Sequence, residues 1–447
     1  MLVISVIVLA HAGIWRFCPG HRRSLIRITL VILSVFILSA LILQFELSSY
    51  FKSSTYGSDE SEYFYWMSDA AESGQGLVPY IGSGLNYLRI GAFSLKTSPI
   101  RHAFIIRIIN ILLYSLCVNI IFIISIERLI PRMKGKSSLS NAEKSWGYQR
   151  YTKIFLISCC NGIIIWAVIR ILKESLFLLL IACIFLLARL FYLRRSLFVR
   201  LFSLGLAFYF AVLLSDVRRG AEFLSLAIFA GTWLVEAFRG PFIPRRGSMV
   251  RPEYARLING LGVLLVMAGM LFLLQGPIKR RVQYFFSYEK IYQNYYSSTL
   301  TSKLNELGPA KYLVALPRFV LGPGPYSSLK RLVSGEVTLA GTTASESAIV
   351  STNVGNLLIF LGSLQWWVTL VFVFIALLIK RLNAANLFRF TPDFAILISI
   401  HVASYVFAYL GTGDTRHRAV MYFLAIPIVA LSFCKLVNAR SRSHGQA

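Results

Sequence analysis

Long apolar runs broken by short basic connections set the pattern of this chain from end to end. A helix needs about 20 apolar residues to cross a hydrocarbon core about 30 Å thick, where every backbone amide must find its partner inside the protein. On that test the pattern predicts an all-α, polytopic membrane helix bundle of about eleven segments. They fall near 2–16, 25–47, 103–126, 154–169, 175–193, 201–215, 221–238, 258–275, 355–379, 394–410 and 419–436. Two connections are long, 48–102 and 276–354, and residues 1–447 are expected to form one membrane domain. The opening MLVISVIVLAHAGIW lacks the basic n-region of a cleavable signal and is expected to stay as a first helix.

Composition agrees with this pattern. Of the 447 residues, 56% are hydrophobic and only 15% charged, well below the charge of an average soluble domain. A net charge of +27 would point to nucleic acid in a soluble protein. Here the positive-inside rule gives a plainer cause. With the N-terminus outside and the C-terminus cytoplasmic, the inner connections are 16–27, 127–153, 189–200, 239–256, 380–393 and the tail from Lys435. These hold 26 Lys or Arg, and only the five acids Glu127, Glu143, Glu236, Glu253 and Asp393 lie in or beside them. The charge therefore follows topology, and no nucleic-acid partner is expected. Six Cys fall in or beside apolar runs, so neither a disulfide framework nor a zinc site is expected.

The outer side is where charge needs a reason. Near the start of the first long loop stand Asp59, Glu60 and Glu62. Crowded carboxylates beside apolar surface raise one another's pKa, which suits a general base taking a proton from a hydroxyl. The plainer reading is a helix start, with Ser58, Asp59 and Glu60 in the cap and first turn and Tyr63, Phe64 and Trp66 in the interface. A divalent metal on Asp59 and Glu60 is a third reading, but further ligands are lacking, so no cofactor is assigned.

Three tight outer turns are basic. They carry Arg170 and Lys173, then Arg218 and Arg219, then Arg416, His417 and Arg418. The arginine fork matches phosphate oxygens, so a convergent set would hold a phosphate or pyrophosphate headgroup. Local pairing is the competing account: Lys173 with Glu174, Arg218 with Asp216, Arg416 with Asp414. Arg107, near the outer end of the third segment, either snorkels or pairs with a first-loop acid. Arg107 and His417 stand as supporting candidates.

The second long loop runs from Lys279-Arg280-Arg281 into Tyr284, Phe285, Phe286, Tyr288, Tyr292, Tyr295 and Tyr296, the spacing of an amphipathic interfacial helix. Its Leu321-Gly322-Pro323-Gly324-Pro325-Tyr326 is a rigid turn, extended at the X-Pro steps. Trp366 and Trp367 are expected as an aromatic-belt pair where the ninth segment enters the membrane. P-loop, dinucleotide, nucleophile-elbow and zinc-protease motifs are all missing from the sequence.

Taken in order, these outer features resemble the GT-C superfamily of multi-spanning glycosyltransferases. The Asp59-Glu60 pair with its following Tyr63 resembles that superfamily's acidic first-loop motif, and Arg107-Ile108-Ile109-Asn110 its Arg-x-x-Asn helix opening. The Leu-Gly-Pro-Gly-Pro turn and Gly411-Thr412-Gly413-Asp414-Thr415-Arg416-His417-Arg418 resemble family-39-like glycosyltransferases or repeat-unit (O-antigen type) polymerases of bacterial surface-polysaccharide clusters. The resemblance implies multi-pass insertion in the bacterial cytoplasmic (inner) membrane and a polyprenyl-phosphate- or pyrophosphate-linked sugar or oligosaccharide donor. It also implies surrounding membrane lipid and other polysaccharide-assembly proteins as partners. The catalytic base then falls on Asp59 or Glu60. A flippase of lipid-linked oligosaccharide is the alternative from another class. Flippases carry charge deep within their spans, whereas charge here gathers at loop ends.

Overall fold

The computed structural model describes residues 2–50, 57–73, 84–98, 102–135, 141–193, 196–218, 221–238, 307–334, 352–378, 391–409 and 415–443. Their regular elements are all helical: α1 (Leu2–Phe17), α2 (Arg22–Tyr50), α3 (Gly57–Ser73), α4 (Leu85–Lys96), α5 (Ala103–Gly135), α6 (Asn141–Cys159), α7 (Gly162–Ile169) and α8 (Glu174–Leu193). There follow α9 (Leu197–Val217), α10 (Glu222–Phe238), α11 (Lys311–Leu321), α12 (Pro325–Ser334), α13 (Asn353–Leu378), α14 (Pro392–Tyr409) and α15 (Thr415–Ser443).

Among the described residues, six helices are long and apolar enough to cross a membrane: Pro19–Ser49, Ala103–Glu127, Glu174–Leu193, Leu197–Val217, Asn353–Ile375 and His417–Cys434. Counting the bent pair Gly147–Cys159 and Gly162–Ile169 as one crossing makes seven. Leu2–Phe17 and Pro392–Phe407 are apolar but shorter. The segment expected near 258–275 and the aromatic run 284–296 lie outside the described residues. The described part of the first long connection holds α3 and α4, packed against each other.

Burial follows the two solvents. The outward faces of α9 (Leu197, Phe198, Leu201, Phe202) and α13 (Leu361, Leu364, Val368, Val371) are exposed and apolar. Water would penalise such patches, and lipid does not. At the centre stands α5, nearly all of it buried in its apolar window. Its few polar side chains bolt the bundle together. Asn119 Nδ2 donates to Thr29 Oγ1 at 2.8 Å, Ser115 Oγ lies 3.2 Å from His11 Nε2, and Tyr114 donates to the Cys159 carbonyl at 2.9 Å. Between helices with little hydrophobic drive to associate in lipid, such bonds and close packing do the holding.

The segment expected near 154–169 is not one straight helix. It bends by 56° between α6 and α7. The bend follows from Asn161, whose side chain accepts from Ile163 N at 2.9 Å and so starts a new helix. Asn161 Nδ2 also donates to the Gly362 carbonyl at 3.0 Å, and Gln365 Nε2 donates to the Ile157 carbonyl at 3.0 Å. Gly162 and Gly362 let the α7 and α13 backbones touch. A Cβ on Gly162 would run into the Leu358 carbonyl, and one on Gly362 into Ile163 N. Broken backbone at this depth survives because protein satisfies it.

Candidate functional site

At one end of the bundle, α3, the turn between α7 and α8, the end of α9 and the start of α15 come together. α3 begins with Asp59 and Glu60 in its first turn, where carboxylates favour the positive end of a helix. From there Glu60 is carried fully into the protein. Its Oε2 accepts from Arg107 Nη2 at 3.0 Å and its Oε1 from Arg170 Nε at 3.1 Å. Arg107 is equally buried and donates through Nη1 to the Ile169 carbonyl at 2.7 Å. Asn110, one turn further along α5, donates to the Arg170 and Leu172 carbonyls and to the Tyr87 hydroxyl. The Arg-x-x-Asn pair thus grips the turn that leaves α7, whose carbonyls no helix satisfies. Burial pushes the Tyr87 phenol above its ordinary pKa, so it stays protonated.

A second ion pair lies beside the first. Arg218, just past α9, donates through Nη2 to Glu174 Oε1 at 2.9 Å and through Nη1 to the Tyr405 hydroxyl at 2.8 Å. The guanidinium also sits over the Phe177 ring, 4.8 Å from its centroid. Asp216, its neighbour in sequence and its expected partner, is engaged elsewhere. Asp216 Oδ2 accepts from Asn86 N and Asn86 Nδ2, both at 2.9 Å, which caps α4 and ties the first long connection to the end of α9. The reason is depth: Glu174 is buried and Asp216 half-buried. A buried carboxylate lacks water's compensation, so the cation goes there. Lys173 Nζ lies 5.9 Å from the Tyr63 ring centroid, which brings the α7–α8 turn up against α3.

Around Tyr405 the cluster continues as rings. Tyr405 stacks with His417 at 4.5 Å and with Phe319 at 5.3 Å, and His401 Nε2 bonds the His417 carbonyl at 2.9 Å. Arg418 lies over Phe319 at 5.8 Å and donates to the Arg318 carbonyl at 3.4 Å. The Gly-Pro turn is held from several directions. Trp366 and Trp367 donate their indole N–H groups to the Val320 and Leu321 carbonyls at 2.9 and 2.8 Å, and Tyr422 donates to the Gly322 carbonyl at 2.8 Å. The two Trp stand within the apolar helix Asn353–Ile375 and cap the open carbonyl end of α11.

Of the residues singled out in the sequence, Glu60, Arg107, Arg170 and Arg218 are brought into two adjoining ion clusters, with Lys173, His417 and Arg418 around them. Asp59 is half-buried on the same turn as Glu60. Arg219 and the Arg416 side chain lie outside the described residues. Among the described residues, no group of three or more His, Cys, Asp or Glu side chains is placed to hold a metal ion.

No protein-family model, curated protein or solved structure matches this chain.

Several participants are not evident from the sequence. Glu174 stands out there only as a local partner of Lys173, and Tyr87 does not stand out at all. His401 and Tyr405 do carry a usable signal, being polar groups one turn apart inside an apolar segment. Glu46 carries one as well. It is buried at the end of α2, and its two oxygens accept from Asn353 N and Val354 N, capping α13 across 307 residues of sequence.

Proposed function

We propose that this chain is a membrane glycosyltransferase of bacterial surface-polysaccharide (exopolysaccharide or O-antigen) assembly, working either as a single-sugar transferase or as the repeat-unit polymerase. It takes its sugar or oligosaccharide from a polyprenyl-(pyro)phosphate donor at the outer face of the cytoplasmic membrane. The observation that supports this is the gathering of an acidic helix start with the cations of three short turns at one end of an apolar bundle. Ionisable groups at such a place are costly unless something uses them.

Asp59, beside the immobilised Glu60, takes the proton of an acceptor hydroxyl. The hydroxyl oxygen attacks the anomeric carbon while the bond from that carbon to the phosphate oxygen breaks. The (pyro)phosphate leaves as an anion, met by the basic set Arg170, Lys173, Arg218, Arg219, Arg416 and Arg418. Glu60, bonded through both oxygens, serves as the anchor that fixes Arg107 and Arg170, since preorganised donors stabilise developing charge without reorganising.

One feature favours a second reading, a flippase: the broken helix α6–α7, because discontinuous helices line many transport paths. Here α13 fills the break, which weighs toward the enzyme. Reconstitution in liposomes with a polyprenyl-pyrophosphate-linked oligosaccharide separates them. The enzyme makes new glycosidic bonds, detected by mass spectrometry, and Asp59→Asn lowers the rate about 100-fold or more, the usual contribution of a general base. Donor that crosses the bilayer without any new bond would sink the reading.

A further inference from the structure

The buried carboxylates Glu60 and Glu174 differ in how their oxygens are met. Glu60 has a guanidinium on each, Arg107 on Oε2 and Arg170 on Oε1. Glu174 has one guanidinium. Its Oε1 accepts from Arg218 at 2.9 Å, while its Oε2 is buried and has no hydrogen-bond partner among the described residues. A carboxylate takes bonds at both oxygens, and a buried acceptor left unmet is costly. The pair is braced, because Arg218 also donates to the Tyr405 hydroxyl and sits over the Phe177 ring. Charge decides what suits the second oxygen. Arg218 already balances the carboxylate, so a further cation gains little there, and a phosphate oxygen would meet negative charge. A hydroxyl fits, since it donates a charge-assisted bond without bringing an ion into a low-dielectric place. Glu174 is 1% exposed and Arg218 18%, so the pair runs inward from the surface. Tyr87 borders the same place: its phenol, pushed up chiefly by burial, also feels the charges of Glu174 and Glu60.

We propose that Glu174 Oε2 accepts a hydrogen bond from a hydroxyl of the lipid-linked sugar, which makes the Glu174–Arg218 pair the sugar-recognising part of the site. That the sugar arrives on a polyprenyl-(pyro)phosphate rests on the glycosyltransferase reading above; the match of Oε2 to a neutral hydroxyl does not. Sugar and phosphate are neighbouring groups of such a lipid, so a hydroxyl on Glu174 leaves the phosphate beside the cations of the short turns. Glu60, with both oxygens already bonded, is not open to the same role.

The test uses the full chain in nanodiscs of neutral phosphatidylcholine. Bare polyprenyl pyrophosphate is titrated in one arm, and polyprenyl pyrophosphates carrying glucose, galactose or N-acetylglucosamine in the others. Wild type is expected to bind at least one sugar-bearing lipid about tenfold or more tighter than the bare one, the worth of a hydrogen bond to a charged group. Glu174→Gln keeps an acceptor for Arg218 but puts a neutral amide in place of the charged oxygen. It should cut the sugar advantage below about threefold while bare-lipid binding stays near wild type, since a neutral bond is roughly half as strong. Glu174→Asp keeps the charge and draws the carboxylate back by one methylene. It should likewise hold the bare lipid and lose most of the sugar advantage, and it decides alone if Glu174→Gln fails to fold. No sugar advantage in wild type, or an advantage kept in the variants, overturns the proposal. So does equal loss of bare and sugar-bearing lipid, because Glu174 then serves the fold alone. An advantage that depends on Glu174, together with no glycosidic bond formed by wild type, keeps the sugar site and rejects the enzyme reading. New glycosidic bonds with an advantage unchanged in the variants do the reverse.

Discussion

Replacing Glu60 by Gln tests whether the buried carboxylate is an anchor. The side chain is fully buried and each of its oxygens holds one guanidinium, at 3.0 and 3.1 Å. Glutamine keeps the shape but only one acceptor oxygen, and its amide nitrogen turns a donor toward the second Arg. One guanidinium therefore keeps a neutral bond in place of a charged one, and the other loses this acceptor outright. Breaking a buried pair in this way costs about 3–5 kcal/mol, because it leaves buried charge uncompensated. Asp59→Asn, on the same turn but half-buried, should cost less, about 1 kcal/mol or below, the worth of a carboxylate in a helix's first turn. Unfolding in mixed micelles titrated with SDS gives both values. A thiol-reactive dye reports the transition, since Cys117 and Cys159 are buried and free. If Glu60→Gln unfolds within about 1 kcal/mol of wild type, less than the loss of a buried ion pair demands, the carboxylate is no anchor.

The remaining expectations use the same measurement or a close relative. Gly162→Ala drives a methyl into the Leu358 carbonyl and should cost about 1–3 kcal/mol of overpacking, concentrated in the α7–α13 contact; an unchanged unfolding midpoint would refute that contact. Glu46→Gln removes the negative charge that caps α13 and should cost about 1 kcal/mol. Hydrogen exchange should speed at Asn353 and Val354, and unaltered protection there would show that the cap is dispensable.

Much of the architecture is legible in the sequence because lipid imposes a simple rule on a chain. Apolar runs long enough to span must be helices, so α2, α5, α8, α9 and α13 can be placed from the pattern of residues alone. The break at Asn161 is not legible as a break. An Asn inside an apolar run gives no sign of whether its side chain will cap a new helix, and here that depends on the Gly362 carbonyl, 201 residues away. The acceptors of the Trp366-Trp367 pair are hidden for a similar reason. An indole N–H wants an acceptor, and interfacial water is the default one, but here the carbonyls of Val320 and Leu321 take that place.

For the candidate site, the residue types and their order along the chain come from the sequence by itself: acids before the third segment, Arg-x-x-Asn within it, and cations in short turns. Partner choice comes only from the tertiary structure. Arg218 leaves nearby Asp216 for Glu174, and Glu60 rather than Asp59 goes inward to Arg107 and Arg170. Charges in one turn share neighbours in sequence but not depth, and depth decides how much an unmatched charge costs.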